Sequence, residues 1–185
     1  SNAEFSSEAH FKGVFFGEAE KDYENQAWEF DFSSSRFMEQ SFFDQSRFLG
    51  NTNFLDTRFV GQASFKETIF SGVVDFSCRQ KDSDFDFPII NFVGTIFENS
   101  VSFNNRKFMN STSFRDAQFL KAPRFHDSEL HQDTDFTNTK FVDFRSPEAN
   151  RAYRTLKQAM EQHRARVYED LFFGHELKSR RHLPD

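Results

Sequence analysis

The chain has 185 residues, of which 29 are Phe, three Tyr, one Trp and one Cys, and its formal net charge is −6. The single cysteine excludes an internal disulfide and is typical of a reducing compartment. No apolar run approaches the roughly 18 residues of a membrane span, and no signal peptide is visible. The expected location is therefore the cytoplasm or the cytoplasmic face of a membrane.

The N-terminal part of the chain carries the first signs of a repeat. Ser1, Asn2 and Ala3 resemble the remnant of a removed tag, so the folded part is expected to begin at residue 4. Phe follows at spacings of six and five, at positions 5, 11 and 16. Residues 17–26 are acidic and nearly without large apolar side chains, which predicts a loop or a partly covering segment.

The central stretch shows the repeat at its most regular. Its Phe residues stand at 37, 43, 48, 54, 59, 65, 70 and 76, so gaps of six and five alternate and the true period is eleven. A small or β-branched residue lies two positions before each ring. Positions i and i−2 share one side only in an extended strand, whereas steps of five and six would scatter the rings around a helix. The pattern therefore predicts short strands with Phe inside.

The repeat breaks once and then resumes. Strict continuation through 77–84 would bury Lys81, which is too costly for an unpaired ammonium, so this segment is predicted to be an inserted polar loop. The large position of the second run is occupied by Phe85, Phe87, Phe92, Phe97, Phe103, Phe108, Phe114, Phe119, Phe125, Leu130, Phe136 and Phe141. Arg106 and Pro123 are the exceptions in the small position.

The alternating gaps predict the shape of a coil. Six-residue gaps often hold Gly or Asn two positions after the ring, which indicates a corner with a left-handed residue such as Gly61. Corners of two kinds stack like on like only if each coil has an even number of sides. Four sides and about 22 residues per coil follow, with an axial rise of about 4.8 Å. Two columns are then expected on opposite sides: Phe59, Phe87, Phe108 and Leu130 in one, and Phe48, Phe70, Phe97, Phe119 and Phe141 in the other.

Tandem five-residue units with a large apolar centre and a small residue two positions earlier resemble the pentapeptide-repeat proteins. The sixth residue and the near-exclusive Phe resemble a variant of that repeat. The resemblance covers Phe30 to Phe144 and implies an all-β solenoid, a right-handed four-sided (quadrilateral) β-helix over residues 4–144. It implies no function, because one fold can serve many.

Residues 145–185 are of another kind and predict a C-terminal α-helical segment. Ser146 is the expected N-cap, with Pro147 at the first helical position. Tyr153, Leu156 and Met160 are spaced for one apolar face, and a break near 163–165 leaves either two short helices or one bent helix. We expect this segment to cap the last coil. It also resembles a helical hairpin that precedes membrane-spanning segments in some larger pentapeptide-repeat proteins.

Few residues suggest chemistry. His126 and His131 each follow a core residue, so an outward surface pair is expected rather than a metal site. Asp82, Asp84 and Asp86 imitate the start of a calcium loop, but a Phe stands where the turn needs Gly. Cys78 lies near Arg79 and Lys81 without a His and acid partner, which predicts an exposed, unreactive thiol. No catalytic residue, cofactor site or metal site is therefore predicted.

Charge limits the partners. Residues 1–144 contain 14 Lys+Arg and 23 Asp+Glu, and residues 145–185 contain 9 and 6, so an acidic rod precedes a mildly basic tail. This balance does not favour direct binding of nucleic acid. The sequence predicts a non-catalytic scaffold or protein-interaction module whose partner binds a side of the rod or the loop at 77–84, with membrane contact only through segments absent from this chain. The alternative is an acidic DNA mimic that binds a type II topoisomerase, as some pentapeptide-repeat proteins do, although Arg and Lys interrupt the outward rows.

Overall fold

The computed structural model of the chain describes residues 2–17, 29–79 and 85–182. Within these ranges every strand has two residues, and the strands are β1 (Glu4–Phe5), β2 (Ala9–His10), β3 (Phe15–Phe16), β4 (Phe30–Asp31), β5 (Arg36–Phe37), β6 (Ser41–Phe42), β7 (Arg47–Phe48), β8 (Thr52–Asn53), β9 (Arg58–Phe59), β10 (Ala63–Ser64), β11 (Ile69–Phe70), β12 (Val74–Asp75), β13 (Ile90–Asn91), β14 (Ile96–Phe97), β15 (Val101–Ser102), β16 (Gln118–Phe119) and β17 (Lys140–Phe141). Two helices follow, α1 (Ala149–Gln162) and α2 (Arg166–Arg180). Among the described residues, no helix is long and apolar enough to cross a bilayer.

The strands form four parallel sheets, which are the four sides of a β-helix. Side A contains β1, β5 and β9; side B contains β2, β6, β10 and β13; side C contains β3, β7, β11, β14, β16 and β17; and side D contains β4, β8, β12 and β15. Strands β1 to β12 belong to sides A, B, C and D in turn, so side A lies opposite side C. The predicted four-sided solenoid is confirmed.

The predicted columns are also confirmed. On side C, Phe48 stacks on Phe70 at a centroid distance of 4.9 Å and an interplanar angle of 15°. On side A, Phe59 contacts Phe87, and Phe87 is bridged to Phe108. The Lys107–Glu129 bridge then brings Leu130 into the same column. Each buried Phe contributes about 1.5–3 kcal/mol, so the columns supply most of the hydrophobic stabilisation of the rod.

The small residue two positions before each ring also has a polar function. The hydroxyl of Thr68 donates to the carbonyl of Phe43 at 2.7 Å, one coil below, and the hydroxyl of Thr139 donates to Phe114 at 2.7 Å. The same bond is made from Thr57, Thr95 and Ser128. The small position thus satisfies a main-chain acceptor that turns into the core, which explains the frequency of Ser and Thr there.

The predicted corner geometry is wrong. Positive φ occurs in the five-residue gaps, at Asp56, Glu67, Asn105, Asp116, Asp127 and Asn138 among others, whereas Gly61 lies outside the left-handed region. The five-residue corner is a tight turn, for example from the Thr57 N–H to the Phe54 carbonyl at 3.1 Å, with a left-handed third residue as in a type II turn. Gly61 is needed for a different reason: a Cβ there would lie 2.4 Å from the carbonyl carbon of Glu39 in the coil below.

The inserted loop is shorter than predicted. Ser77 and Cys78 still belong to the coil, since the Cys78 N–H donates to the Asn104 carbonyl at 3.0 Å. Lys81 lies outside the described residues. We call the segment between Cys78 and Phe85 the excursion. Stacked rings on either side of it, such as Phe65 and Phe92, are 27 residues apart, whereas those of regular coils are 22 residues apart.

Arg106 compensates for the break that the excursion leaves in the hydrogen-bond ladder. Its side chain is 1% exposed, and burial lowers its pKa to about 10. All five guanidinium donors reach main-chain carbonyls: Nε bonds Phe76 (2.5 Å), Nη1 bonds Thr57 (3.1 Å) and Phe85 (2.6 Å), and Nη2 bonds Phe54 (3.2 Å) and Ser77 (3.3 Å). The guanidinium carbon also lies 4.5 Å from the Phe87 ring centre. Arg106, an apparent exception in the small position, therefore supplies donors to five carbonyls around the excursion, of which those of Phe54 and Ser77 also accept main-chain N–H groups.

The two helices close the open end of the rod. Phe172 contacts Phe136 and Phe141 edge to face at 5.3 and 5.4 Å, and Tyr153 contacts Phe141 at 5.9 Å. The Tyr153 hydroxyl donates to the Asp143 carbonyl at 2.6 Å. The helical conformation is interrupted between Gln162 and Arg166, so the segment forms two helices rather than one bent helix.

The predicted N-cap is wrong. Helix α1 begins at Ala149, its N-cap is Glu148, and no side-chain cap bond is made. The Ala149 N–H donates to the main-chain carbonyl of Ser146 at 3.1 Å, while the Asp143 carboxylate accepts the N–H of Ser146 at 3.0 Å. The Asp143 carboxylate therefore holds the turn before the helix and does not cap a helical N–H.

We expect Gly61→Ala to destabilise the protein by about 1–3 kcal/mol, because the methyl would collide with main-chain atoms of Glu39 that cannot yield cheaply. Gly61→Asn should be equally harmful, although Asn tolerates a left-handed backbone. Gly174→Ala, in open space on α2, is the control and should stabilise by about 0.5–1 kcal/mol. Urea midpoints measure all three, and a tolerated Gly61→Asn would favour a backbone requirement instead of the collision.

We expect Arg106→Met to destabilise by about 3–5 kcal/mol, because several buried carbonyls would lose their donor together. Ser128→Ala is the matched control: it occupies the same column one coil later and loses one hydroxyl bond, at a cost of about 1 kcal/mol. Urea unfolding followed by circular dichroism compares the two. Equal midpoints for both variants would contradict the role given to Arg106.

The helical cap should weaken at mildly acidic pH. Burial against Phe144 and Tyr153, and then the charge of Lys178, lower the pKa of His175 from 6.5 to about 4. The unfolded chain therefore binds this proton first, so the contribution of neutral His175 to stability is complete above pH 6.5 and is lost as the pH falls towards 4. His175→Phe should unfold with a shallower pH dependence than wild type across that interval, and His182→Phe, at an exposed position, should not. Identical slopes would refute the assignment.

Candidate interaction surface

A concavity lies between the last coil and α1. It has a volume of about 790 Å³ and is open to solvent. One wall is the turn from Phe125 to His131 with Lys107 and Met109 beside it, and the other is the flank of α1 from Thr155 to His163. We call this concavity the cap cleft. Its lining is mixed, with apolar ring edges beneath polar side chains, which suits a peptide better than a reaction that needs an enclosed site.

The two sequence-predicted histidines both line the cap cleft. His126 Nε2 lies 3.0 Å from Asp127 Oδ2, and His131 Nδ1 lies 3.7 Å from Asp133 Oδ2. His131 Nδ1 also accepts the Asp133 N–H at 3.2 Å. Each imidazole is thus partnered by its own neighbouring acid. In the part of the chain that the structure describes, no group of three His, Cys, Asp or Glu side chains could hold a metal ion.

The prediction of an exposed thiol at Cys78 is wrong. The residue is 3% exposed, its Sγ lies 3.6 Å from the Asn105 carbonyl, and burial raises the pKa of the thiol. The coil continues through Cys78 before the chain leaves it, which places the sulfur inside the stack. Asp82 and Asp84 of the calcium-loop pattern lie outside the described residues, and Asp86 is half-buried.

Asp56, an acid two residues after its ring, is not on the outer surface. It is 8% exposed, its carboxylate accepts the Arg79 N–H at 2.8 Å, and it lies 3.4 Å from the Arg79 guanidinium. Asp116 and Asp127, at the same position of other corners, are exposed. The acidic residue at the excursion therefore anchors the departing chain and contributes little to the surface field.

The side A surface is the clearest candidate for a binding face. We define it by an apolar row, one residue after each ring on four consecutive coils, and a charged row, one residue before each ring. The apolar row is Met38, Val60, Pro88 and Met109, with Ile89 beside Pro88; Met38, Val60, Ile89 and Met109 are 38, 43, 45 and 48% exposed. The charged row on the same coils is Arg36, Arg58, Asp86 and Lys107. Contiguous exposed apolar residues of this kind are typical of interaction sites.

Side C is less continuous. Phe15 and Val142 are 72% and 57% exposed, but they lie at opposite ends of the side. Ile69 and Ile96 between them are half-buried, and Ser71 and Glu98 occupy the row after the rings on those coils. Side A is also the side that leads to the cap cleft, because Lys107 and Met109 belong to both.

The sequence contained a signal for the apolar row that the ring pattern hid. The row becomes visible when the residue that follows a ring is compared with the residue that follows the stacked ring of the next coil. It is hidden when each ring is compared with the next ring along the chain, which lies on another side. The cap cleft has no such signal, because it depends on how α1 crosses the last coil.

Comparison with known proteins agrees with the architecture. The family model described as pentapeptide repeats (9 copies) matches residues 32–77 and 92–140. No curated protein and no solved structure matches the chain. The matched segments contain rings of all four sides and lie on either side of the excursion. With its repeats, four parallel sheets and helical cap, the chain belongs to the pentapeptide-repeat family.

Proposed function

We propose that this protein is a non-catalytic scaffold that binds a protein partner through the side A surface. The observation that carries the proposal is the row of exposed apolar residues on four successive coils, bordered by a mainly basic row and ending at the cap cleft. Elsewhere on the rod the large apolar residues that are exposed, such as Phe15 and Val142, do not form a row over four successive coils. A rigid rod with one apolar stripe supplies a binding face without any group positioned for bond making.

The DNA-mimic alternative has weaker support. Such a mimic needs a long and nearly uninterrupted acidic surface. Here the outward rows contain cations at intervals, such as Arg36 and Lys107 on side A and Arg47 and Lys140 on side C. The rod ends in a two-helix cap with basic residues in the last turn of α2.

Photo-cross-linking in the native host cell tests the proposal by comparing positions on side A with a position on side C. We expect Val60 and Met109, replaced in turn by a benzoylphenylalanine, to form a cross-link to the same partner protein. The matched control is Val142, which is similarly exposed but lies on side C. Adding Arg36→Glu to the Val60 variant should reduce the cross-link yield.

Two results would overturn the proposal. Equal cross-linking from Val142, Val60 and Met109 would remove side A as the binding face. Salt-sensitive inhibition of a type II topoisomerase at micromolar concentration, lost when Asp116 and Asp127 are changed to Asn, would replace the scaffold by the mimic.

A further inference from the structure

The side A surface has a spacing that discriminates between classes of partner. Its apolar residues lie on successive coils, about 4.8 Å apart along the rod, so four coils span about 14 Å. In a helix, successive residues of an apolar stripe are about 5.3 Å apart along the axis, which gives about 16 Å for the same number of residues. In an extended strand, residues on one face are about 6.7 Å apart and would span about 20 Å. A helix laid along the rod therefore keeps register with the row, and a strand loses it after two coils.

The charged row favours a partner whose contacting surface has the opposite charge. On the four coils of the apolar row it contains three cations, Arg36, Arg58 and Lys107, and one acid, Asp86. Within the described ranges Arg36 makes no ion pair, and Lys107 makes one long contact, 3.4 Å to Glu129, between exposed side chains. Such a contact is worth little and can be exchanged for another carboxylate. The remainder of the rod is acidic, so this basic row contrasts with its surroundings and favours acidic ligands.

The cap cleft gives the surface an end. The apolar row runs from Met38 to Met109, and His131 follows on the next coil at the cleft. Beyond it stands the flank of α1 with Gln158, Ala159 and Gln162. A helix that lies on the row thus meets a polar wall at the C-terminal end of the rod, which limits its length to about 14 residues over the exposed coils.

We infer that the side A surface binds an acidic amphipathic α-helix of a protein partner, laid parallel to the rod axis with its apolar stripe on the Met38–Met109 row. This inference rests on the proposed function and names the class of partner. The apolar stripe supplies affinity through burial, and carboxylates beside it meet the basic row. The geometry is that of helix-in-groove recognition, with the rod replacing the groove-forming helices.

Binding of synthetic peptides to the purified chain tests the inference. The probe is a fluorescent peptide of about 14 residues with Leu at i, i+4, i+7 and i+11, which lie about 5.5 Å apart along the helix axis on average, and Glu elsewhere. We expect it to bind at least about tenfold more tightly than the same peptide with Lys for Glu, with a preference that declines as salt is added. A peptide of alternating Leu and Glu, which favours a strand, should bind more weakly than the helical one.

Variants locate the site. Val60→Glu with Met109→Glu should weaken binding of the helical peptide by about tenfold or more, and Arg36→Glu with Lys107→Glu should remove the preference for Glu over Lys. Val142→Glu on side C is the matched control and should change neither. Circular dichroism checks that each variant retains the fold.

Each other outcome overturns the inference. Equal binding by the side A variants would place the peptide elsewhere, and tighter binding of the alternating peptide would replace the helix by a strand while leaving the scaffold proposal intact. A dimer in sedimentation that dissociates in the Val60 and Met109 variant would assign the surface to a second copy. Absence of peptide binding together with a positional cross-link at side A would refute the helix alone, whereas absence of both would refute the scaffold proposal too.

Discussion

Stacking of Phe rings at the spacing of the coils is the constraint on which the rest of the structure depends. Rings on side B lie 4.7 Å apart between Phe43 and Phe65 and 5.1 Å apart between Phe92 and Phe114, nearly parallel in both pairs. Across the interior, rings of the opposite sides B and D meet edge to face, as Phe54 and Phe65 do. Both arrangements are favourable for aromatic pairs. Another apolar residue could fill the interior. A Phe ring, however, makes both the stacked and the edge-to-face contact, and its side chain loses little conformational entropy on burial.

The stack imposes a hydrogen-bonding requirement that the strands alone do not meet. Two-residue strands leave the corners to satisfy inward carbonyls. In the five-residue corners the small residue before the ring does so with a hydroxyl at Thr68 and Thr139 and at most other Ser and Thr positions, with Ser35 as an exception. The excursion after Cys78 breaks this arrangement because several acceptors lose their partners at once. Arg106 supplies five donors from one side chain. Burial of its charge is unfavourable, and the carbonyl dipoles and the Phe87 ring offset this cost.

The division between interior and exterior limits the residues that can form the proposed binding surface. Inward positions are occupied by rings and small residues, so they cannot vary without disturbing the column. The outward positions carry no such restriction, and on side A they form one apolar row beside one mainly basic row. The helical cap adds a second element by crossing the last coil at one side only, which creates the cap cleft beside Met109. The proposed binding surface thus arises from the exterior pattern of a rigid core.

The sequence by itself determined the period, the four sides, the columns through Phe59 and Phe48, and the capping helices, because each depends on residues that recur at a constant spacing. Tertiary structure alone decided the corner chemistry. Either gap could have held the left-handed residue, and the approach of Glu39 to Gly61 comes from the neighbouring coil. The burial of Arg106 likewise depends on carbonyls as far away in sequence as Phe54, which only the stacking of coils brings within reach of its guanidinium. Local spacing determines which residues face the core, whereas contacts between coils determine which of them must be Gly or can be charged.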